Sequence, residues 1–324
     1  MSRLIAFVLA EGPAAQNRER TVVVKPQKSA PKYYGEAAPK QCIIERAGSV
    51  TVKSYPPDVI LAEVSCDVED VFSAEAFAMR NSMIGECKLA LQKHRAKLEM
   101  SEEYALAVVS GYEGPPEQFL RKGAAIAGFL KSEIIPLDES EIAYTLQTQL
   151  KYGDQDMVII DWDGAFVFEP TGEADAVLEL LELANLQLLR YRMLDGDLDS
   201  RLVRLEHLMR TKAMTRFLFW SGEVTRAFKE VIGIRASSIM EFDAIVREVK
   251  LIGDWYSARL YELAAKKLRL EDWRKAIREK LLSLEDIYGI VSQNFSISKQ
   301  YFFEFALQAG WFTLLALELY QIFR

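Results

Sequence analysis

The pattern of the chain changes at Pro170-Thr171-Gly172, and this change limits the folds that the chain can adopt. Before this point, short apolar runs of strand length alternate with helical stretches. After it, apolar residues recur only at the spacing of three and four that is typical of amphipathic helices. The element order before residue 170 predicts β-α-β-α-β-β-β in a mixed, mostly antiparallel sheet. We therefore expect an α+β fold, with a sheet domain followed by a helical, coiled-coil-like C-terminal region.

Pattern and composition divide the chain of 324 residues into four segments. Residues 1–57 combine a first strand at Leu4–Ala10 with an extended arm rich in Pro and Lys. Residues 58–170 form the predicted α+β domain, and residues 171–300 form the predicted helical or coiled-coil region. Residues 301–324 are a hydrophobic C-terminal segment.

Individual elements follow from periodicity and from turn residues. The further predicted strands are Thr21–Lys25, Val59–Ser65, Tyr104–Tyr112, Ile142–Lys151, Met157–Ile160 and a last strand ending at Phe168. The predicted helices are Ala74–Lys97, Glu117–Lys131, Ala174–Leu194, Leu202–Phe219, Ser238–Leu251 and Ser257–Gln293. The acidic run Asp195–Asp199 predicts an interhelical turn.

Charge and cysteine content narrow the class of partner. The formal net charge of -7 argues against duplex nucleic acid, because duplex binding needs a clustered basic face. There is thus no strong nucleic-acid signal, although RNA held by a local basic patch stays open. The cysteines Cys42, Cys66 and Cys87 and the histidines His94 and His207 match no zinc spacing. We expect a reduced compartment, no metal site and no cofactor.

The C-terminal segment, Tyr301–Arg324, is apolar at most positions. Phe305–Phe323 approaches the ~20 residues that a membrane span needs, with Gln308, Glu318 and Gln321 as polar exceptions. This pattern predicts a membrane segment that contacts lipid, with the bulk of the chain cytoplasmic, or on the matrix side if the protein is organellar. The alternative is that the segment packs in a helical interface of a soluble oligomer.

Apolar residues before that segment recur every three or four positions. They are Ile277, Leu281, Leu284, Ile287 and Val291, in a stretch dense in both charge signs. This spacing favours a helical hairpin or coiled coil. We therefore expect the chain to form a homo-oligomer.

One short motif suggests chemistry. Met157–Phe168, M-V-I-I-D-W-D-G-A-F-V-F, resembles the first motif of haloacid-dehalogenase-type phosphatases. That resemblance implies that Asp161 is the nucleophile and Asp163 its acid/base partner, with Mg²⁺ offsetting the charge. Ala165 stands where that family has Thr, and helices follow where it needs parallel strands. A tight hairpin turn explains the same residues without catalysis.

The C-terminal half is similar to the end of the required-for-meiotic-nuclear-division family. The matching residues are Trp255, Leu260-Tyr261-Glu262, Leu268, the stretch Arg274–Leu284 and the terminal L-L-A-L-E-L-Y-Q-I-F, with Gly153–Phe168 as an upstream match. The resemblance implies an α+β domain, a long helical region and a C-terminal membrane segment, without catalytic residues. Gln308 stands where the family pattern has Glu.

These observations favour a non-enzymatic, membrane-associated scaffold or adaptor that self-associates through its helical region. No phosphate loop, H-E-x-x-H or G-x-S-x-G motif occurs, so no catalytic, cofactor-binding or metal residue is assigned. Two alternatives remain. One is a Mg²⁺-dependent phosphoryl-transfer enzyme using Asp161 and Asp163, and the other is a soluble oligomeric structural protein.

Overall fold

A computed structural model describes residues 2–13, 41–213 and 255–322, with scattered positions between 229 and 242. The predicted strand Thr21–Lys25 and most of the predicted helix Ser238–Leu251 lie outside the described residues, as does the end of Leu202–Phe219.

The described elements are eight strands, one 3₁₀ helix and six α-helices. The strands are β1 (Ser2–Glu11), β2 (Cys42–Ala47), β3 (Val50–Tyr55), β4 (Val59–Val68), β5 (Lys97–Val109), β6 (Gln149–Leu150), β7 (Met157–Ile160) and β8 (Gly164–Phe168). The α-helices are α1 (Ala74–Lys93), α2 (Gly123–Leu130), α3 (Glu139–Leu146), α4 (Asp175–Ala213), α5 (Trp255–Lys267) and α6 (Leu270–Ile322). The 3₁₀ helix is Pro116–Lys122.

Five of these six α-helices have 39 residues or fewer, and α6, with 53 residues, is the longest.

The strands form one sheet in the order β2-β3-β4-β1-β5-β8-β7-β6. Neighbouring strands are antiparallel except for β5 and β8, which are parallel. The predicted α+β class with a mixed, mostly antiparallel sheet is therefore confirmed. The predicted first strand is also confirmed, and it lies at the centre of the sheet, where β4 and β5 pair with its two edges.

The centre of the sheet is buried on both faces, where β1 and the second half of β5 are apolar at nearly every position. Alternate residues of β1, from Leu4 to Ala10, join the core beneath α1. The intervening residues, such as Phe7, face the other side, where Phe7 stacks on Tyr104 at 5.5 Å. Side chains of α4 reach strands on that second face. Burial on both faces explains why β1 is an unbroken apolar run.

Local signals explain where the helices begin and end. The Ser73 side chain accepts a hydrogen bond from the Ala76 N–H at 3.1 Å and caps α1. The Asp138 side chain caps α3 by accepting from the Ser140 N–H at 2.9 Å. Between α5 and α6 the chain turns at Arg269, whose φ of 53° is incompatible with a continuous helix.

Several predicted elements differ from the structure. Strands β2 and β3 lie within the predicted extended arm, and the predicted helix Ser257–Gln293 is divided at Arg269. Ile142–Lys151 was expected to be a strand, but the Asp138 cap starts a helix that includes Ile142, and only Gln149–Leu150 is strand. The expected turn at Asp195–Asp199 is also wrong, because α4 continues through it. Leu198 is fully buried there and Asp197 forms an i,i+4 ion pair with Arg201, so helical contacts replace the turn.

The chain comprises two compact units. The first contains residues 1–195 and 243–275, and the second contains residues 196–242 and 276–324. The first unit therefore joins the sheet to α5, a division that differs from the four predicted segments. In the second unit Ile277 and Leu284 are buried, and Lys280 contacts Asp199 at 2.6 Å.

The predicted membrane segment is not supported. None of the described helices is both long enough and apolar enough to cross a bilayer. Gln308, Glu318 and Gln321 interrupt the apolar run, and Gly310 adds little hydropathy to it. The predicted transmembrane helix at residues 301–324 is therefore wrong, and so is the membrane localisation that rested on it.

Candidate functional site

The sheet has a gap beside the first half of β5. Strand β8 begins at Gly164, which lies opposite Ala105. Strand β8 therefore pairs with β5 only from Ala105 to Val109. On the β1 side, by contrast, pairing extends back to Lys97. Among the described residues, no strand lies beside Lys97–Tyr104 on the β8 side. We call this gap, and the cavity within it, the β5 notch.

The cavity of the β5 notch has a volume of about 490 Å³. Its walls come from one face of α1, from the free part of β5, from the turn between β7 and β8, and from single residues that follow α2 or lie on α4. The lining residues are Arg80, Asn81, Ile84, Gly85, Lys88, Ser101, Glu102, Glu103, Ser132, Trp162, Asp163 and Leu188.

Arg80 fixes the wall of the notch. Its guanidinium donates to the Ser132 hydroxyl at 2.6 Å and to the Asp163 carbonyl at 3.1 Å, and it lies 5.4 Å from the Phe129 ring centre. Burial lowers the pKa of Arg80, while the charges of Asp163 and Glu103 oppose that shift. Arg80 is only 2% exposed, and its hydrogen bond to the Asp163 carbonyl connects α1 to the β7–β8 turn.

Three carboxylates line the notch, and only that of Asp163 lacks an ion-pair partner within 4 Å among the described residues. Burial raises the pKa of Asp163, Arg80 opposes the shift, and the charges of Asp161 and Glu103 add to it. Among the described residues, no group donates a hydrogen bond to the Asp163 carboxylate. Glu103 pairs with Lys88 at 2.5 Å on the α1 side. A ligand that offers a cation therefore meets an unpaired acceptor at Asp163.

On the α4 side, Glu102 pairs with Arg192. Burial raises the pKa of Glu102, and Arg192 opposes that shift. Glu102 and Glu103 thus place their charges on opposite faces of β5, as adjacent residues of a strand must.

Gly85 leaves open space in the wall formed by α1. A Cβ built at Gly85 would meet no atom within 4 Å, although the residue lies in the middle of the helix Ala74–Lys93. A glycine inside a helix costs about 1 kcal/mol relative to Ala. No neighbouring atom requires a glycine at this position, and without a side chain here the α1 wall of the cavity stays open.

The two aspartates of the motif that resembles a phosphatase lie in different surroundings. Asp161 is 4% exposed, and its carboxylate lies 3.4 Å from Lys267 and 3.5 Å from Lys131. It also accepts from the Trp162 N–H at 2.8 Å, which closes the turn between β7 and β8. Asp163 instead faces the notch.

This geometry bears on the phosphatase alternative. Strand β7, which carries the motif, is antiparallel to both of its neighbours, whereas the resemblance implies parallel strands after the motif. Within the described ranges, no group of three or more His, Cys, Asp or Glu side chains is placed to hold a metal ion. The arrangement of Asp161 between two lysines is that of a structural ion-pair cluster.

A second buried charge cluster joins α4 to the sheet. Glu182 is fully buried, and its carboxylate contacts the Lys53 ammonium at 2.7 Å and accepts from the Tyr55 hydroxyl at 2.8 Å. Lys53 also contacts Glu63 at 2.7 Å. Burial raises the pKa of Glu182 to about 7, although Lys53 opposes the shift. Burial acts to lower the pKa of Lys53, but the charges of Glu182 and Glu63 outweigh it and raise that pKa.

In the second unit, α6 presents apolar side chains to solvent. Every residue from 307 to 315 is exposed, so none of the described residues covers this part of the helix. The large apolar side chains and their exposed fractions are Leu307 65%, Trp311 69%, Phe312 73%, Leu314 62% and Leu315 48%.

Sequence reasoning identified Asp161 and Asp163 but missed the rest of the notch and the Glu182 cluster. Two signals were available. Gly85 is a glycine within a stretch of residues that otherwise favour a helix. Glu182 lies between two leucines on the wide apolar stripe of α4. The contact of Glu182 with Lys53 spans 129 residues, so no local pattern could have revealed its partner.

Comparisons with known proteins assign no activity to this fold. Residues 35–175 match the family described as "Uncharacterized protein MJ0711, N-terminal domain", a range that runs from before β2 to the start of α4. The chain is 25% identical over 265 residues to "Uncharacterized protein MJ0711" of Methanocaldococcus jannaschii, which covers 81% of this chain and 80% of that protein. No solved structure matches the chain. The resemblance to the required-for-meiotic-nuclear-division family is not tested by these matches and stays a prediction.

Proposed function

We propose that this protein is a non-enzymatic scaffold or adaptor that self-associates through the exposed apolar part of α6, residues 307–315. The observation that carries the proposal is that five large apolar side chains lie uncovered on fewer than three turns of one helix. Contiguous exposed apolar surface of this kind marks interaction sites in soluble proteins.

The occupant that fits best is a second copy of the same helix. Leu307, Trp311 and Leu314 are spaced by four and three residues, the spacing of a coiled-coil seam, and Leu315 and Phe312 widen it. Like surfaces of two copies bury each other in a symmetric dimer. We include in this proposal the coiled coil that the sequence predicts for the C-terminal region.

The free energy of burying these side chains favours association. Full burial of a leucine side chain contributes about 1.5–3 kcal/mol, so covering Leu314, which is 62% exposed, contributes about 1–2 kcal/mol. Five side chains of this kind on each of two copies give roughly 10–20 kcal/mol before the costs of association, which are about 4–15 kcal/mol. The gain matches or exceeds those costs over most of this range.

A matched pair of variants tests the proposal. In a symmetric dimer Leu314→Gln acts twice, so we expect a loss of about 2–4 kcal/mol and a dissociation constant raised about 30- to 1000-fold. The control is Leu282→Gln, the same substitution in the same helix at a residue that is 55% exposed but outside 307–315. Sedimentation velocity over a concentration series measures both constants.

Equal dissociation constants for the two variants would exclude this surface as the site of self-association. The phosphoryl-transfer alternative has its own test, which is the hydrolysis of a generic phosphate ester with Mg²⁺ by the parent protein. No described contact favours it over the proposal.

A further inference from the structure

We propose that the β5 notch binds the amino-terminal residues of an extended peptide, which adds as a short antiparallel strand to the free edge of β5, with its α-ammonium group at Asp163. This inference goes beyond the proposed self-association and does not depend on it. The residues that carry it all lie in the first unit.

The backbone of β5 supplies the docking edge. The Ala105 N–H donates to the Asp163 carbonyl at 3.2 Å, so the polar backbone groups of Ala105 point toward β8. In a strand, every second residue directs its backbone groups to the same edge. Ser101 and Glu103 therefore present their N–H and C=O groups to the notch, where β8 has ended. Unpaired strand edges of this kind bind extended peptides by main-chain hydrogen bonds.

The cavity limits the length of the peptide. Three residues of β5, Ser101 to Glu103, line it, and a strand rises about 3.3 Å per residue, so about three or four peptide residues fit along this edge. Gly85 widens the cavity on the α1 side, because no side chain projects from its Cα. Trp162, which is 44% exposed, borders the end of the cavity near the turn.

Charge determines the direction of the peptide. Strand β5 runs from Lys97 toward Val109, and Asp163 lies where the free edge ends. A peptide antiparallel to β5 begins at that end, so its α-ammonium group meets the carboxylate of Asp163, beside the ion pair of Glu103 with Lys88. A parallel peptide would place its C-terminal carboxylate there, against like charges. Arg80 does not reverse this preference, because it is 2% exposed and already donates to the turn.

The first experiment is affinity selection by the full-length protein from a library of random pentapeptide amides with free amino termini. The same library with acetylated amino termini serves as the comparison. We expect enriched peptides from the free library only, and acetylation of an enriched peptide should weaken its binding at least tenfold. No enrichment from the free library, or equal binding of the acetylated peptide, would overturn the proposal.

Variants in α1 locate the site. Gly85→Phe places a ring in the cavity, and we expect it to weaken binding of the selected peptide at least tenfold. Gly85→Ala should retain binding, and so should Leu89→Phe, which adds bulk to α1 at a residue that is 67% exposed and does not line the cavity. If Gly85→Phe is folded by circular dichroism and binds normally, the peptide lies elsewhere and the assignment is wrong.

The roles of the Asp163 charge and of the β5 backbone are tested by separate measurements. Asp163→Asn keeps the size of the side chain and should weaken binding of the free-amine peptide about tenfold, with little effect on its acetylated form. The bound peptide should also slow hydrogen exchange of the Ser101 and Glu103 amides, which a ligand at the surface would not do. Repeating the selection with Leu314→Gln separates this proposal from self-association, because loss of the oligomer should leave peptide binding unchanged.

Discussion

The Glu182 cluster gives a prediction whose size depends on pH. In Lys53→Met the fully buried Glu182 carboxylate loses the ammonium group that lies 2.7 Å away. At pH 8 the unmodified pair is ionised, because the pKa of Glu182 beside Lys53 is about 7. In the variant the carboxylate either stays charged without its partner or takes up a proton at a pH that disfavours protonation, and removing one partner of a buried pair costs about 3–5 kcal/mol. At pH 5, Glu182 holds a proton, so we expect a loss of only about 1–2 kcal/mol from the missing hydrogen bonds.

The change of stability with pH follows from proton linkage. The pKa of Glu182 is raised in the folded protein, so the folded state binds more protons than the unfolded state between the ordinary carboxyl pKa and about 7. Stability contributed by this group therefore falls as pH rises through that range. Without Lys53, which opposes the raised pKa, the fall continues to higher pH.

Urea unfolding followed by tryptophan fluorescence at pH 5 and pH 8 measures the effect. The control is Lys97→Met, which removes an exposed ion pair with Glu11 and should leave the free energy of unfolding nearly unchanged at both pH values. A loss for Lys53→Met that is the same at both pH values would refute the reasoning, because a buried charge would then not be its cause.

Two further substitutions test the turn beside the notch. Gly164→Ala should destabilise the protein by about 1–3 kcal/mol in urea unfolding, because its Cβ would lie 2.7 Å from the Ala105 carbonyl oxygen; a neutral result would mean that β5 and β8 separate easily. Tyr104→Phe should cost about 1–3 kcal/mol in thermal unfolding, because the hydroxyl donates to the buried Asp161 and Gly164 carbonyls at 3.1 and 2.8 Å; an unchanged midpoint would show that water replaces the hydroxyl.

Local patterns predicted the parts of the fold whose residues interact with near neighbours in the chain. The apolar run of β1 and the hairpin of β7 and β8 were visible because their patterns are short and end at turn residues. Ile142–Lys151 was misassigned because alternation over so few residues also fits a helix, and the Asp138 cap decided between the two.

The candidate site depends on distant residues, and this is why sequence reasoning found only part of it. The notch exists because β8 starts opposite Ala105 while β5 starts at Lys97, and no local pattern reports where two strands 59 residues apart come into register. Asp163 was identified as a turn residue, but its position facing α1 depends on Arg80, 83 residues away.

Sedimentation equilibrium of the unmodified, full-length protein tests the central claim most directly. Self-association through residues 307–315 predicts a weight-average mass that rises with concentration from 36.9 kDa toward a multiple of it, and Leu314→Gln should shift that rise to higher concentration. A mass that stays at the value of one chain at every concentration would contradict the account.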